Sequence, residues 1–187
     1  MPTLYSREVD AFWKTILWQQ LGAAIDMLEN AMRACPDEVW SDPAETPRWA
    51  EREVVGFWYV AYHTLFFLDF YFSDAAEDFA PPPPFTLAEL DPACVLPERA
   101  YSKPELLNYL DYCRAKSVAF VDALTEEKAR EARRILSFEG SAAELVVQQL
   151  RHVQHHTAQL NLLLRQKTGS APSWVRKAQS AGMSTHG

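Results

Sequence analysis

The fold class this sequence predicts is all-α, an antiparallel four-helix bundle, and three observations predict it. Four long segments place apolar side chains at the i, i+3, i+4, i+7 spacing of a buried helical stripe. No segment shows a convincing period-2 alternation, and residues that open or end helices sit between the four. Helices with one apolar face each bury those faces most simply against one another.

The first segment spans about Arg7 to Arg33, with Phe12, Ile16, Leu17, Leu21, Ala24, Ile25, Leu28 and Met32 on its inward stripe. Cys35-Pro36-Asp37 ends it, because proline disfavours helix at the residue before it. A loop rich in Pro, Asp and Thr, Ser41 to Pro47, leads to the second segment, about Trp49 to Phe72. That segment is apolar almost all round, which predicts burial on several sides. A long Pro-rich connection follows, Ser73 to Pro104, with seven prolines that include Pro81 to Pro84. It is not regular helix, and an ordered excursion of this length inside a compact domain can serve to cover a site.

Ser102 and Glu105 form a capping-box pattern that opens the third helix, which runs to about Leu124 with Leu106, Leu110, Cys113 and Val121 inward. Thr125 to Lys128 begins a short polar helical turn, and the charged run Glu126 to Arg134 reads as a solvated helix face. Ser141 and Glu144 repeat the capping box before the fourth helix, about Ala142 to Lys167, which Thr168-Gly169 stops. The tail, 169–187, has an apolar anchor at Trp174-Val175 and then frays. A single domain, 1–187 with a core of about 7–168, accounts for all of this.

At 187 residues, 48% hydrophobic and with six tryptophans, the chain can bury a core without disulfides or metals. Its net charge of -7, with no basic run interleaved with aromatics, argues against nucleic acid as a partner. No secretory signal is visible, and the richest apolar run, Gly56 to Phe72, is broken by His63 and Asp69, so no membrane association is expected. Cys35, Cys94 and Cys113 are scattered and odd in number; they read as reduced thiols of a cytoplasmic protein.

Three of the five histidines crowd the fourth helix. His152 and His156 lie about 40° apart and one turn apart, so their rings can converge. Leu145, Gln149, Gln159 and Leu163 share their stripe, apolar at its ends and polar at its middle. His155 falls about 60° to the other side of His152, and a His152/His155 pair could also chelate, so spacing leaves the choice open. His63 lies among Gly56, Tyr59, Val60, Phe66, Phe67 and Phe70, a buried face where an imidazole needs a partner. A metal held with the fourth-helix pair is one such partner. Three neutral imidazoles suit zinc, nickel or another late first-row ion, and leave a position for water or substrate. The competing reading is a chance HxxxH pair and a core histidine bonded to a backbone carbonyl. His186 reads as solvated.

Gln159, one turn beyond His156, could orient a ligand imidazole or serve as an ordinary core glutamine; Gln148 and Gln149 raise the same question. Trp58, Tyr59 and Tyr62 could line a cavity, although aromatics at helical spacing commonly form core. Asp69 is about 240° around from His63 and faces elsewhere. Cys113 reads as a small core residue and not a nucleophile, and no Ser/His/Asp or Cys/His arrangement is present.

The stretch His152-Val-Gln-His-His156-Thr-Ala-Gln159-Leu resembles the H-x-x-x-H-x-G-Q-[LI] helix of the DinB/YfiT-like superfamily, with Ala158 at the glycine. Trp58 to Tyr71 is similar to that family's second helix, which carries its remaining histidine. The likeness extends from about residue 8 to 176, though only the histidine segments are specific. It implies a four-helix bundle holding nickel or zinc on His63, His152 and His156, and it selects His156 over His155 because Gln159 aligns only in that register. It further implies a homodimer and a small-molecule substrate, with a low-molecular-weight thiol such as mycothiol or bacillithiol as cosubstrate. The function expected is a metal-dependent transferase or hydrolase. The alternatives are a non-catalytic metal-binding or sensing module, a stress-related interaction module, or a metal-free helical interaction domain.

Overall fold

The computed structural model describes residues 4–42, 56–73, 76–93 and 95–178. In chain order these form α1 (Leu4–Ala34), α2 (Asp37–Trp40), α3 (Phe57–Tyr71), a 3-10 turn (Leu87–Leu90), α4 (Lys103–Ala123), α5 (Glu126–Arg130), β1 (Ala132–Ile135), β2 (Phe138–Ser141) and α6 (Ala142–Thr168). The fold is predominantly helical, as the periodicity predicts. Among the described residues no helix is long and apolar enough to cross a membrane.

Four helices carry the core, and α1 and α3 each pack on both α4 and α6. Leu21, Ile25, Leu28 and Met32 of α1 are fully buried, whereas Phe12 is 62% exposed, against expectation. The reason is rotational: nine residues separate Phe12 from Leu21, about 180° around a helix, so both cannot face one core. The capping boxes at Ser102/Glu105 and Ser141/Glu144 both form. Gly169, in the left-handed region at φ 76°, closes α6.

The second helix starts later than its composition suggests. Residues 43–55 lie outside the described residues, and Gly56 is extended, so α3 begins at Phe57 and not near Trp49. Glycine is required there by close approach, since a Cβ would stand 2.9 Å from the Asp42 carbonyl oxygen.

Contacts between helices give their directions. Lys14 Nζ donates to the Asp122 carbonyl, Arg114 reaches Asp26 and Glu29, and Lys103 bonds the Cys35 carbonyl, so α1 and α4 are antiparallel. Across α3 and α4 the numbers rise together: Leu65 meets Cys113, Asp69 meets Lys116, and the Phe72 ring stacks on Phe120 at 4.5 Å. These two neighbours are therefore parallel, which corrects the expectation of antiparallel rods throughout. A parallel pair cannot be joined by a tight turn. The chain must return the length of α3, about 22 Å for fifteen residues.

The proline-rich connection makes that return, packed against the core. Phe79 and Phe85 are buried. Phe85 stacks on Tyr109 at 4.2 Å, and Phe79 meets Phe66 and Phe70 edge-on. Tyr62 Oη donates to the Thr86 carbonyl at 2.9 Å, and Trp40 Nε1 donates to the Tyr101 carbonyl at 2.9 Å.

Two further expectations are corrected. The charged run continues as helix only to Arg130; Ala132–Ile135 then pairs antiparallel with Phe138–Ser141. Ile135 is buried and Phe138 half-buried, with Leu136 at φ 51° in the turn. Strands of four residues are too short for alternation to be visible, and their pairing is a tertiary fact. Of the expected tail anchor, Trp174 is 65% exposed and Val175 only half-buried. The segment is tied down instead by the Ala178 N–H, which donates to the Gln19 carbonyl at 3.0 Å, with Ala178 close above Gly22.

If Phe85 holds the connection to the core, Phe85→Ala should lower the unfolding free energy by about 3 kcal/mol in urea denaturation. A loss under about 1 kcal/mol would show that the connection is held elsewhere.

Candidate metal centre

Burial sets the rotation of both helices that carry histidine. On α6 the buried positions Leu145, Gln149, Val153, His156, Leu160 and Leu164 form one stripe, and that stripe turns His152 and His156 toward α3. Thirteen of the fifteen α3 residues are buried; the two that are only half-buried, His63 and Phe67, lie one turn apart on a single face. The rings of His63 and His156 are 4.8 Å apart, those of His152 and His156 4.7 Å, and those of His63 and His152 5.6 Å. One nitrogen from each lies within 4.8 Å of the others. The structure thus brings together the three histidines that the sequence singles out.

Two of the three rings have an oriented second nitrogen. His63 Nδ1 donates to Glu89 Oε2 at 2.8 Å, and His156 Nδ1 donates to Gln159 Oε1 at 2.8 Å. With Nδ1 protonated in both, the lone pair of each ring is on Nε2, the arrangement that carboxylate or amide partners impose on metal-bound histidines. The Gln159 Nε2 group donates in turn to His155 Nε2 at 3.2 Å, so exposed His155 belongs to the flank and outside the triad.

Glu89 is the residue that sequence reasoning misses. It sits on the 3-10 turn of the proline-rich connection, where no helical period relates it to His63, and its side chain is only 6% exposed. The only signal available was the length of the connection itself. Gln149, one turn before His152, is fully buried and bonds Gln148. The aromatics that could have lined a cavity, Trp58, Tyr59 and Tyr62, are core, although Tyr59 stands 6.4 Å from the His63 ring. Phe67 is the ring against the histidines, 4.8 Å from His63. Asp69 turns away to Lys116 and Tyr109, as its angle predicts, and Cys113 is a buried thiol donating to the Leu65 carbonyl.

The electrostatics suit a cation. Burial, followed by the neighbouring imidazoles, pushes His152 down to about 3; burial, followed by His63, pushes His156 down to about 4. Both rings are therefore neutral at pH 7, with lone pairs available. His152 Nδ1 is buried with no hydrogen-bond partner, a deficit of the kind that costs about 1–3 kcal/mol. Tetrahedral ligation at 2.0–2.1 Å brings donors to about 3.4 Å of one another, so a closure of at most about 1.4 Å, within reach of side-chain torsions, completes a three-nitrogen set. The residues fit a late first-row divalent ion.

For the metal-free protein the sign of the pH dependence follows. His152 and His156 take up protons less readily folded than unfolded, where the value is 6.5. Their contribution is full above about pH 6.5 and is lost as pH falls toward about 4 for His156 and about 3 for His152. Thermal unfolding of chelator-treated protein should show the midpoint falling through that window, with a shallower fall in His152→Asn. An identical slope in the variant would assign the dependence to other groups.

No curated protein and no solved structure matches the chain. The family model described as the DinB superfamily matches residues 20–160, a span that contains His63, Glu89, His152, His156 and Gln159. The chain belongs to the DinB superfamily.

Proposed function

We propose that this chain is a helix-bundle metal protein that acts as a metal-dependent transferase or hydrolase on a small electrophile. A thiol or water serves as nucleophile, and a low-molecular-weight thiol is a candidate cosubstrate. The observation that carries the reading is the convergence of three imidazoles, two of them oriented from behind, at a place that stays partly open: the His63 side chain is 17% exposed. His63, His152 and His156 would hold nickel or zinc, which three imidazoles accept alike. A bound ion of this kind supplies Lewis acidity that lowers the pKa of water or of a thiol.

The protein's own groups do the rest. Glu89 Oε2 keeps the proton on His63 Nδ1, while Glu89 Oε1 is buried without a hydrogen-bond partner and can accept one more proton donor. Gln159 fixes the His156 ring through its carbonyl oxygen. Phe67 walls one side and limits the water that reaches the histidines. Three protein donors leave room for a nucleophile, the pattern of catalytic and not structural sites.

Protein purified without a histidine tag should carry or take up about one equivalent of nickel or zinc. Below about a tenth of an equivalent, with no uptake on titration, the metal reading fails. Turnover of thiol-plus-electrophile or ester substrates should vanish in His156→Ala while folding persists. If wild type turns over nothing and His63→Ala mainly lowers the melting temperature, the ion ties α3 to α6 and the protein is a non-catalytic module. Glu89→Gln should weaken metal affinity by about tenfold or more at unchanged fold, read by competition with a chromogenic chelator. Unchanged affinity would remove Glu89 from the site.

A further inference from the structure

A concavity lies away from the histidines, where the C-terminal ends of α3 and α4 meet α5, β1 and the start of α6. It encloses about 350 Å³, the lower end of the range of small-molecule sites. Its walls are apolar, with Phe72, Phe120, Leu124 and Ala142 among them. Its charged groups are Lys116, Lys128, Arg133 and Glu131.

Those charges are not equally committed. Lys116 is neutralised by buried Asp69 and also bonds Ser73. Arg133 has no carboxylate partner among the described residues. Its Nη2 donates to the Ser73 carbonyl at 2.8 Å, and its Nε is buried with no hydrogen-bond partner. The Lys128 ammonium is likewise without an ion pair among the described residues. Glu131 offsets one of these two free cations, which leaves a single net positive charge in an apolar groove. A guanidinium that lines the groove with no carboxylate partner among the described residues is a seat for a carboxylate. One net charge favours a monoanion over a phosphate dianion, and the Phe120 and Leu124 walls favour an apolar body behind it.

We propose that this groove binds a small amphiphilic monocarboxylate, its apolar body against Phe120 and Leu124 and its carboxylate at Arg133 and Lys128. The proposal does not rest on the metal site. The probe is 4-phenylbutyrate, with its neutral amide and inorganic phosphate as comparisons, followed by calorimetry and thermal shift on full-length protein. The expected result is saturable binding of the carboxylate, with the amide and phosphate each weaker by about tenfold or more. Arg133→Gln and Lys128→Gln should each weaken it, and Ala123→Trp, which fills the groove, should abolish it.

Binding should survive chelator treatment and the His63→Ala substitution. Loss under either would place the carboxylate at the histidines and overturn the proposal. Equal affinity for the amide, equal affinity for phosphate, or undiminished binding in both Lys128→Gln and Ala123→Trp would also overturn it. So would the absence of any saturable signal from wild type. The exposed Lys128 and Ala123 positions keep the test decisive even where Arg133→Gln disturbs the hairpin.

Discussion

The parallel packing of α3 on α4 is the constraint from which the rest of the architecture follows. Each of these helices buries a face against the other, with Phe72 on Phe120 and Asp69 on Lys116, so neither can be reversed without losing that register. The chain is then obliged to travel back outside the helices before α4 can begin. A stretch of prolines suits that task, because it is stiff, extended and unable to compete as helix. Once obliged to cross, the segment is available to do more: it inserts Phe79 and Phe85 into the core and sets Glu89 behind His63.

At His152 and His156, desolvation outweighs the other influences. The hydrogen bond from His156 to Gln159 and the charge of Glu89 both favour a protonated His156, yet burial and the adjacent rings override them. The consequence is that His152 and His156 are neutral beside His63, with one ring nitrogen of His152 left unsatisfied. A protein interior tolerates such a cluster poorly unless a cation completes it. The capping boxes of α4 and α6 and the fully buried aliphatic stripe of α1 lie apart from it.

How much of this could be read from the sequence depends on the range over which each feature is determined. Helical spacing converts sequence separation into angle over one or two turns, which made His152 legible with either His155 or His156; the resemblance, through the register of Gln159, chose His156. His63 was legible because a single imidazole on an otherwise aromatic face demands a partner. Phe12 shows the limit of the same rule, since a stripe inferred over many turns accumulates rotational error. Glu89 was not legible at all: a 3-10 turn within a connection carries no period, and only the folded path brings it to His63. The β1–β2 hairpin was missed for a related reason, because each strand exists by virtue of the other. The parallel direction of α3 and α4 was latent in the length of the connection, but length alone does not say which neighbour the chain returns to.

The origin of Glu89 divides the site into two kinds of part. The rings of His63, His152 and His156 ride on helices whose rotation is fixed by their packed side chains. The group that orients the His63 ring rides on the crossing segment, which is held to the helices by Phe79, Phe85 and the Tyr62–Thr86 hydrogen bond. Ring placement and ring orientation therefore have separate origins: a substitution at Glu89 changes how the His63 ring is held without touching the packed faces of α3 and α6.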